Sequence, residues 1–301
     1  MSDVVDSRDA PAGGGDHAGD GPTRGRARIR RLWRSRSGLA GLVITGLAVI
    51  LALLAALGLT PYEPTGQDPT VRFQEPTAAY PLGTDQFGRD VLSRIMAGMV
   101  SSLMVAASSV AIAATVGTFI GLVAGFFGAW VDRSIMRVND VLFAFPAILL
   151  ALAIVSALGS GWRNTALAIG IVFIPLFVRV ARGPVLALRD VDYVQAARVL
   201  GFSRVRILLR HLLPNIASAV IVQVALALSW AIITESSLSF LGLGTQPPMP
   251  SLGLMVSDGR NLVGQGAWLL IAPSVAIVVV VVGLNLLGDA LRDVLDPRDE
   301  A

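Results

Sequence analysis

Charge-free intervals set the first frame for this chain: residues 39–59, then the stretches between residues 94 and 132, 140 and 163, 163 and 179, 211 and 235, and 260 and 289. A helix needs ~20 apolar residues to cross the hydrocarbon of a bilayer, and these intervals predict six spans. The stretch between Arg163 and Arg179 is the shortest, and it reaches that length by borrowing flanking residues or by letting Arg179 snorkel. Residues 236–257 are also uncharged, but Gly242, Gly244, Pro247, Pro248 and Pro250 interrupt them too densely for a lipid-exposed helix, which predicts an outer loop. Pro146, Pro175 and Pro273 lie within or beside spans, where each is placed to kink its helix.

Composition agrees with an all-α integral membrane protein of six transmembrane helices. The 301 residues are 54% hydrophobic and 15% charged, with a mean hydropathy of +0.69. Cysteine is absent, which removes disulfides, thiolate metal sites and cysteine nucleophiles. All 24 basic residues are arginine, so no lysine is present to build a Walker-type phosphate loop. A net charge of +3 raises the question of nucleic acid. The arginines gather at the ends of apolar segments without interleaved aromatics, so membrane orientation explains them better.

Short arginine-rich loops stay in the cytoplasm, and that rule orients the spans. Residues 1–37 form a basic tail with little to bury, carrying Arg24, Arg26, Arg28, Arg30, Arg31, Arg34 and Arg36 ahead of the first span. The span is too long for the ~7–15-residue apolar core of a cleavable signal, so it reads as a retained anchor. Asp132, Arg133, Arg137 and Asp140, expected as interfacial pairs, fall on the same side as the tail, as do six arginines between Arg182 and Arg210. Both termini are therefore expected in the cytoplasm. The predicted organisation is a tail (1–37), a first span with an external loop (38–97), a transmembrane core (98–291) with a cytoplasmic loop at 184–213, and a C-terminal tail (292–301).

That cytoplasmic loop is the most patterned part of the sequence. Tyr193, Ala196, Ala197 and Leu200 recur at i, i+3, i+4 and i+7 and predict the apolar face of a short helix, which Asp190 or Asp192 caps. Gly201 ends it, in the left-handed conformation that glycine adopts without steric cost. Ser203 caps a second helix, with Val205, Leu208, Leu209 and Leu212 on its apolar face, and Pro214 suits the first turn of the next span. On these features alone, a helix pair lying on anionic lipid is an equal reading.

The spacing adds a further pattern. Gln195-Ala196-Ala197, three residues, Gly201, nine residues and His211-Leu212-Leu213-Pro214 resembles the EAA loop of ABC importer permeases, with Gln195 in place of the glutamate and His211 in place of an isoleucine. Further blocks run in order: Pro81-Leu-Gly-Thr-Asp-Gln-Phe-Gly-Arg-Asp-Val-Leu-Ser-Arg94, Glu235-Ser-Ser-Leu-Ser-Phe-Leu-Gly-Leu-Gly244, Gln246-Pro-Pro-Met-Pro-Ser251 and Gly288-Asp-Ala-Leu-Arg-Asp293. Together they resemble the C-type permease subunit of the dipeptide/oligopeptide/nickel branch, in which a tryptophan commonly stands where this chain has Leu252.

The resemblance implies a multi-pass permease of a bacterial inner membrane, forming half of a translocation pathway for peptides or related solutes. It implies four kinds of partner: a homologous permease subunit, two cytoplasmic ATP-binding domains, an extracytoplasmic substrate-binding protein and membrane lipid. It implies no cofactor on this chain and no catalysis by it, ATP and Mg being held by the ATPase partners. Tyr193, Gln195, Ala196, Ala197, Gly201, His211, Leu213 and Pro214 would form the coupling element. From the residues themselves, Glu235 and Ser229 are the pathway candidates, since an ionisable group in a span is by default functional. Glu235 sits close enough to a span end for water or a backbone donor to satisfy it instead. His211 reads as a packing or capping residue more readily than as a pH sensor. An intramembrane hydrolase would need a base beside Ser108, Ser109, Ser156 or Ser229, and none is in reach. An ion-coupled secondary transporter or a channel component is the remaining alternative, weakened by the poverty of ionisable residues in the spans.

Overall fold

The computed structural model describes residues 35–295, and the chain is all-helical there. Most of the basic tail and the last six residues lie outside the described residues, and residues 292–295, expected in the C-terminal tail, continue the last helix. The helices are α1 (Arg36–Ala56), α2 (Val91–Phe127), α3 (Ala129–Phe143), α4 (Ala147–Leu158), α5 (Trp162–Leu188), α6 (Asp192–Val199), α7 (Arg204–Ile207), α8 (Leu213–Phe240), α9 (Leu252–Arg260) and α10 (Trp268–Leu295). Five unbroken helices are long and apolar enough to span a membrane, and the bent pair α3–α4 brings the number to six when it is counted as one span.

Two expectations take definite form and one is corrected. The third span bends where Pro146 is placed to kink it: α3 and α4 meet at 89°, with Pro146 as the N-cap residue of α4. The shortest apolar interval belongs to one of the longer helices, α5, which runs on past Arg179 and Arg182. Those arginines pair with Asp140 (2.8 Å) and Asp132 (2.5 Å) of α3, so the two aspartates expected in interfacial pairs take α5 arginines as partners and not Arg133 or Arg137. The uncharged stretch 236–257 is also not all loop. Helix α8 continues to Phe240, and α9 starts at Leu252, capped by the Ser251 hydroxyl, which accepts from the Leu254 N–H.

The densest packing joins α2 to α5. Gly117, Gly121 and Gly125 recur every four residues on one face of α2. A Cβ at these positions would lie 2.6 Å from Phe177 Cβ, 2.6 Å from the Val178 carbonyl oxygen and 2.8 Å from Val185 Cγ1. Small residues at this spacing let two membrane helices approach backbone to backbone, where dispersion replaces the hydrophobic drive that lipid does not supply. The stripe leads straight to the end of the bundle that carries residues 189–212.

The opposite end is closed by residues 60–90 and by α9. Asp85 Oδ1 accepts from the N–H groups of Phe87 (2.8 Å) and Arg89 (3.0 Å), while Oδ2 faces Arg89 Nε (2.6 Å) and Arg94 Nε (3.5 Å). Arg94, only 3% exposed, also donates to the Pro64 carbonyl. Asp90 caps α2 through the Ser93 N–H and hydroxyl. Trp268 Nε1 donates to the Thr84 carbonyl and ties this loop to α10. Leu252, where the resembled branch commonly has tryptophan, is 1% exposed in the first turn of α9, so the difference falls on internal packing.

Candidate functional site

Residues 189–215 fold as a helix, a glycine turn and a second helix that merges with a span. Gly201 has φ +76°, and the turn is closed by two backbone bonds, Phe202 N–H to the Ala197 carbonyl (3.1 Å) and Gly201 N–H to the Arg198 carbonyl (3.0 Å). This is the Schellman pattern that a left-handed glycine permits. Nothing lies within 4 Å of a Cβ built on Gly201, so the constraint on that position is conformational alone.

The second helix begins as expected, with the Ser203 hydroxyl accepting from the Arg206 N–H, but it is not separate. It passes through a widened π-turn at Leu208–Leu212 into α8, forming one continuous helical run Arg204–Phe240. The Leu213 N–H reaches back to the Leu208 carbonyl across this turn. Pro214 follows, without an N–H to give, and the Asn215 side chain donates to the His211 carbonyl (2.5 Å) and to the Tyr193 hydroxyl (3.4 Å). The segment is thus fastened to its own span.

The faces differ from the sequence expectation. On α6 the residues turned into the chain are Val194 and Ala197, 0% and 4% exposed, packed with Leu122, Phe126, Ile207 and Leu212. Tyr193, Ala196 and Leu200 are exposed, Leu200 at 73%, as are Gln195 and Val199. On the second helix Leu208 and Leu212 point inward, while Val205 and Leu209 are exposed. The expected capping by Asp190 or Asp192 is absent too: Val191 is the N-cap residue, without a side-chain bond, and Asp192 lies in the first turn. The periodicity misleads because the segment is apolar on both sides. One side is satisfied by the chain, and the other presents Val199, Leu200 and Val205 to solvent.

His211 packs its ring on Phe202 (centroids 6.1 Å apart, 20° between planes). Leu213 is half-buried and Pro214 exposed. The two pathway candidates are enclosed by the chain's own helices. Glu235 is 0% exposed, with Oε1 accepting from the Ser239 hydroxyl at 2.6 Å, and Ser229 is 1% exposed. A pathway role for either requires the packing around α8 to open. No group of three or more metal-ligating side chains occurs among the described residues.

Comparison with known proteins follows the same lines. Residues 117–299 match the family described as binding-protein-dependent transport system inner membrane component. The chain is 41% identical over 273 residues to the dipeptide transport system permease protein DppC of Alkalihalophilus pseudofirmus, covering 91% of this chain and 90% of the relative. It is 43% identical over 277 residues to the glutathione transport system permease protein GsiD of Pectobacterium atrosepticum, covering 91% and 92%. Among solved structures, an inward-facing form of the MetNI methionine ABC transporter aligns with a TM-score of 0.54 at 16% identity, over 65% of this chain and 94% of that one. That likeness supports the fold.

Proposed function

The chain belongs to the binding-protein-dependent transport inner membrane component family, as a multi-pass permease whose transport is driven by a partner ATPase, and from that premise we propose that it carries peptides or peptide-like solutes and couples to the ATPase through residues 189–212. The substrate class rests on the relatives, which are permeases for dipeptides and glutathione. The coupling assignment rests on one observation above the rest: a rigid knob of two helix segments, closed by Gly201 and tied to α8, that keeps exposed apolar side chains on the face turned away from the bundle. An apolar patch on a charged, solvent-facing element marks a docking surface.

The expected coupling residues divide into two groups by this geometry. Gln195, Ala196 and the neighbouring Val199 and Leu200 form the face offered to the ATPase. Ala197, Gly201, Leu213 and Pro214 hold the knob's shape, Tyr193 braces it through Asn215, and His211 packs it through Phe202. Movement of the knob passes to α8 without a hinge, because the helical run is continuous from Arg204 to Phe240. The knob lies in the cytoplasm in this reading, with both described ends of the chain on its side of a bacterial inner membrane. ATP and Mg reside on two ATPase domains, a second homologous permease completes the pathway, and an external binding protein delivers the solute.

Ala196→Asp and Leu200→Asp test the docking face, since both side chains already meet solvent and neither change disturbs packing. The expected result is normal expression and melting with loss of co-purifying ATPase and of peptide uptake. Wild-type uptake by both variants would refute the assignment. Single cysteines introduced at Ser203 and at Gln86 test orientation, as the chain has no cysteine of its own. Impermeant maleimide applied to sealed cells should label position 86 and spare position 203.

A further inference from the structure

Residues 192–212, the knob, carry Arg198, Arg204, Arg206 and Arg210 against a single acid, Asp192. Asp192 sits in the first turn of α6, where the helix terminus itself favours a negative charge, and the glutamate of the resembled loop is here Gln195. All four arginines are exposed, and none has a carboxylate within 4 Å among the described residues, whereas Arg179, Arg182 and Arg189 are each paired. Two of the four border one notch of about 400 Å³ between the knob and the end of α2, lined by Phe126, Phe127, Arg198, Phe202, Arg204 and Ile207. Arg198 stands over the Phe126 ring with its guanidinium carbon 5.1 Å from the centroid, and Arg204 stands over Phe127 at 5.6 Å. The rings orient the two cations without neutralising them.

The position of the notch decides what can fill it. Charge first appears on α5 at Arg179, paired with Asp140. Arg182 lies three residues further on, and a Cβ at Gly121 would sit 3.2 Å from its amide nitrogen. Phe126 is five residues beyond Gly121 on α2. The two steps come to about 12 Å along the helices, past the headgroup layer of ~5–8 Å, so the notch stands clear of lipid. Arg198 is also only three residues from Gln195, which at 3.6 residues per turn puts the two side chains about 60° apart. The notch therefore opens at the edge of the apolar face proposed to meet the ATPase. A protein surface seated on Ala196, Val199 and Leu200 would close over both guanidinium groups, and a covered charge without a partner is costly.

We propose that a carboxylate of the ATPase enters this notch and is held between Arg198 and Arg204, so that the surface receiving the knob is acidic where it meets the end of α2. The inference rests on docking through residues 189–212 and adds to it the partner's chemistry and a second point of attachment. A guanidinium stacked on a ring keeps its N–H edge free for charge-assisted bonds, and the phenyl walls keep water from competing for them. Phe126 and Phe127 belong to α2, so the carboxylate grips that helix as well as the knob. Movement of the ATPase then reaches the α2–α5 pair through the packing at Gly117, Gly121 and Gly125, alongside the direct route into α8.

The chain contains no lysine, which makes a chemical test specific. Arg204→Lys and, separately, Arg198→Lys keep the positive charge and supply an amine that a carbodiimide joins to a carboxylate in direct contact. The full chain is purified with its co-expressed ATPase subunits, treated with carbodiimide, and the linked peptides are sequenced by mass spectrometry. Positions 198 and 204 should link to an aspartate or glutamate of the ATPase, and Arg210→Lys, at an exposed site outside the notch, should not. In the same complexes R198Q/R204Q should speed dissociation of the ATPase by about ten-fold or more, as when one partner of a covered charge pair is truncated, while R210Q stays within about two-fold of the wild type. Phe127→Leu keeps both charges and removes the ring under Arg204; it should speed dissociation by a smaller factor, and it carries the test if the double variant does not fold. An assembled complex with no link from position 198 or 204, links of equal yield from position 210, or unchanged dissociation in R198Q/R204Q or in Phe127→Leu would overturn the proposal. Loss of the ATPase in Ala196→Asp with unchanged dissociation in R198Q/R204Q would remove the acidic seat and leave docking intact, whereas failure of the docking reading itself appears as wild-type uptake by Ala196→Asp and Leu200→Asp.

Discussion

Arginine serves opposite ends of this molecule in opposite ways. At the loop end, Arg94 and Arg89 converge on the Asp85 carboxylate, Arg94 is buried, and the remaining lone pairs of Asp85 accept backbone N–H groups. At the knob end, Arg198, Arg204 and Arg206 stand on aromatic rings and face solvent, with no carboxylate partner among the described residues. The first arrangement is complete within the chain; the second leaves its guanidinium groups open to solvent. A self-satisfied end can seal a bundle, and an unsatisfied one can receive partners. The contrast therefore separates the structural end from the working end more clearly than charge counts do.

The comparison breaks most readily at Arg94. Without Arg94, Asp85 keeps Arg89 and two backbone N–H donors, so the loss is that of a buried charged partner and its bond to the Pro64 carbonyl, about 1.5–3 kcal/mol. Arg94→Ala should lower the melting temperature of the purified protein steeply, while Arg204→Ala at the other end should cost less than about 1 kcal/mol, as expected of an exposed charge. Equal melting shifts for the two variants would erase the distinction drawn here.

Next in size is the link between the ends. Gly121→Val places a branched side chain where the Val178 carbonyl already lies within 2.6 Å of a bare Cβ, an overpacking fault of about 1–3 kcal/mol. Helices α2 and α5 should separate, and a cysteine pair placed across them should lose its cross-linking efficiency. An unchanged melt would mean that the glycine stripe is incidental.

Much of this was legible before any coordinates. The spans follow from charge-free intervals, and the knob from Gly201, Ser203 and the apolar spacing. The glycine stripe Gly117–Gly121–Gly125 is written in the sequence, but charge-free intervals do not distinguish it, because they treat all apolar residues alike. The α3–α4 bend was signalled only by Pro146. The buried charges at the loop end were illegible for a physical reason: Asp85, Arg89 and Arg94 read as solvated loop residues until folding brings them onto one another. Ala196 and Ala197 were assigned to one face because both sides of α6 are apolar, and periodicity cannot tell the side the chain satisfies from the side it leaves for a partner.

Gly201 sharpens the knob's half of the contrast at smaller energetic cost. A valine at φ +76° is strained by about 1–2 kcal/mol, with no steric clash to add, since the space around the position is open. Gly201→Val should therefore insert and melt nearly normally, yet transport poorly, with ATPase activity that no longer responds to loaded binding protein. Gly201→Asn, which tolerates the left-handed region, should recover a substantial part of the uptake. Equal failure of both variants would show that the position requires the absence of a side chain and not the backbone conformation.

The smallest effect tests whether the loop end is as self-satisfied as Arg94 and Asp85 suggest. Asp258 of α9 is half-buried near Arg94, Arg89 and Asp85, and burial raises its pKa above the usual carboxylate value, against the lowering influence of the two arginines. A raised folded-state pKa means that the fold favours the protonated acid. Its contribution to stability is fully present below the unfolded value and is lost as pH rises through the folded value. At neutral pH the ionised group is therefore a small burden. Asp258→Asn should remove that burden, raising the melting temperature at pH 7 by roughly one or two degrees. It should also flatten the part of the pH profile, between the unfolded and the raised folded value, over which wild-type stability declines as the acid ionises. A variant less stable than the wild type at pH 7 would mean that the attraction to Arg94 and Arg89 outweighs burial, and that Asp258 belongs with Asp85 as a partner of the arginines.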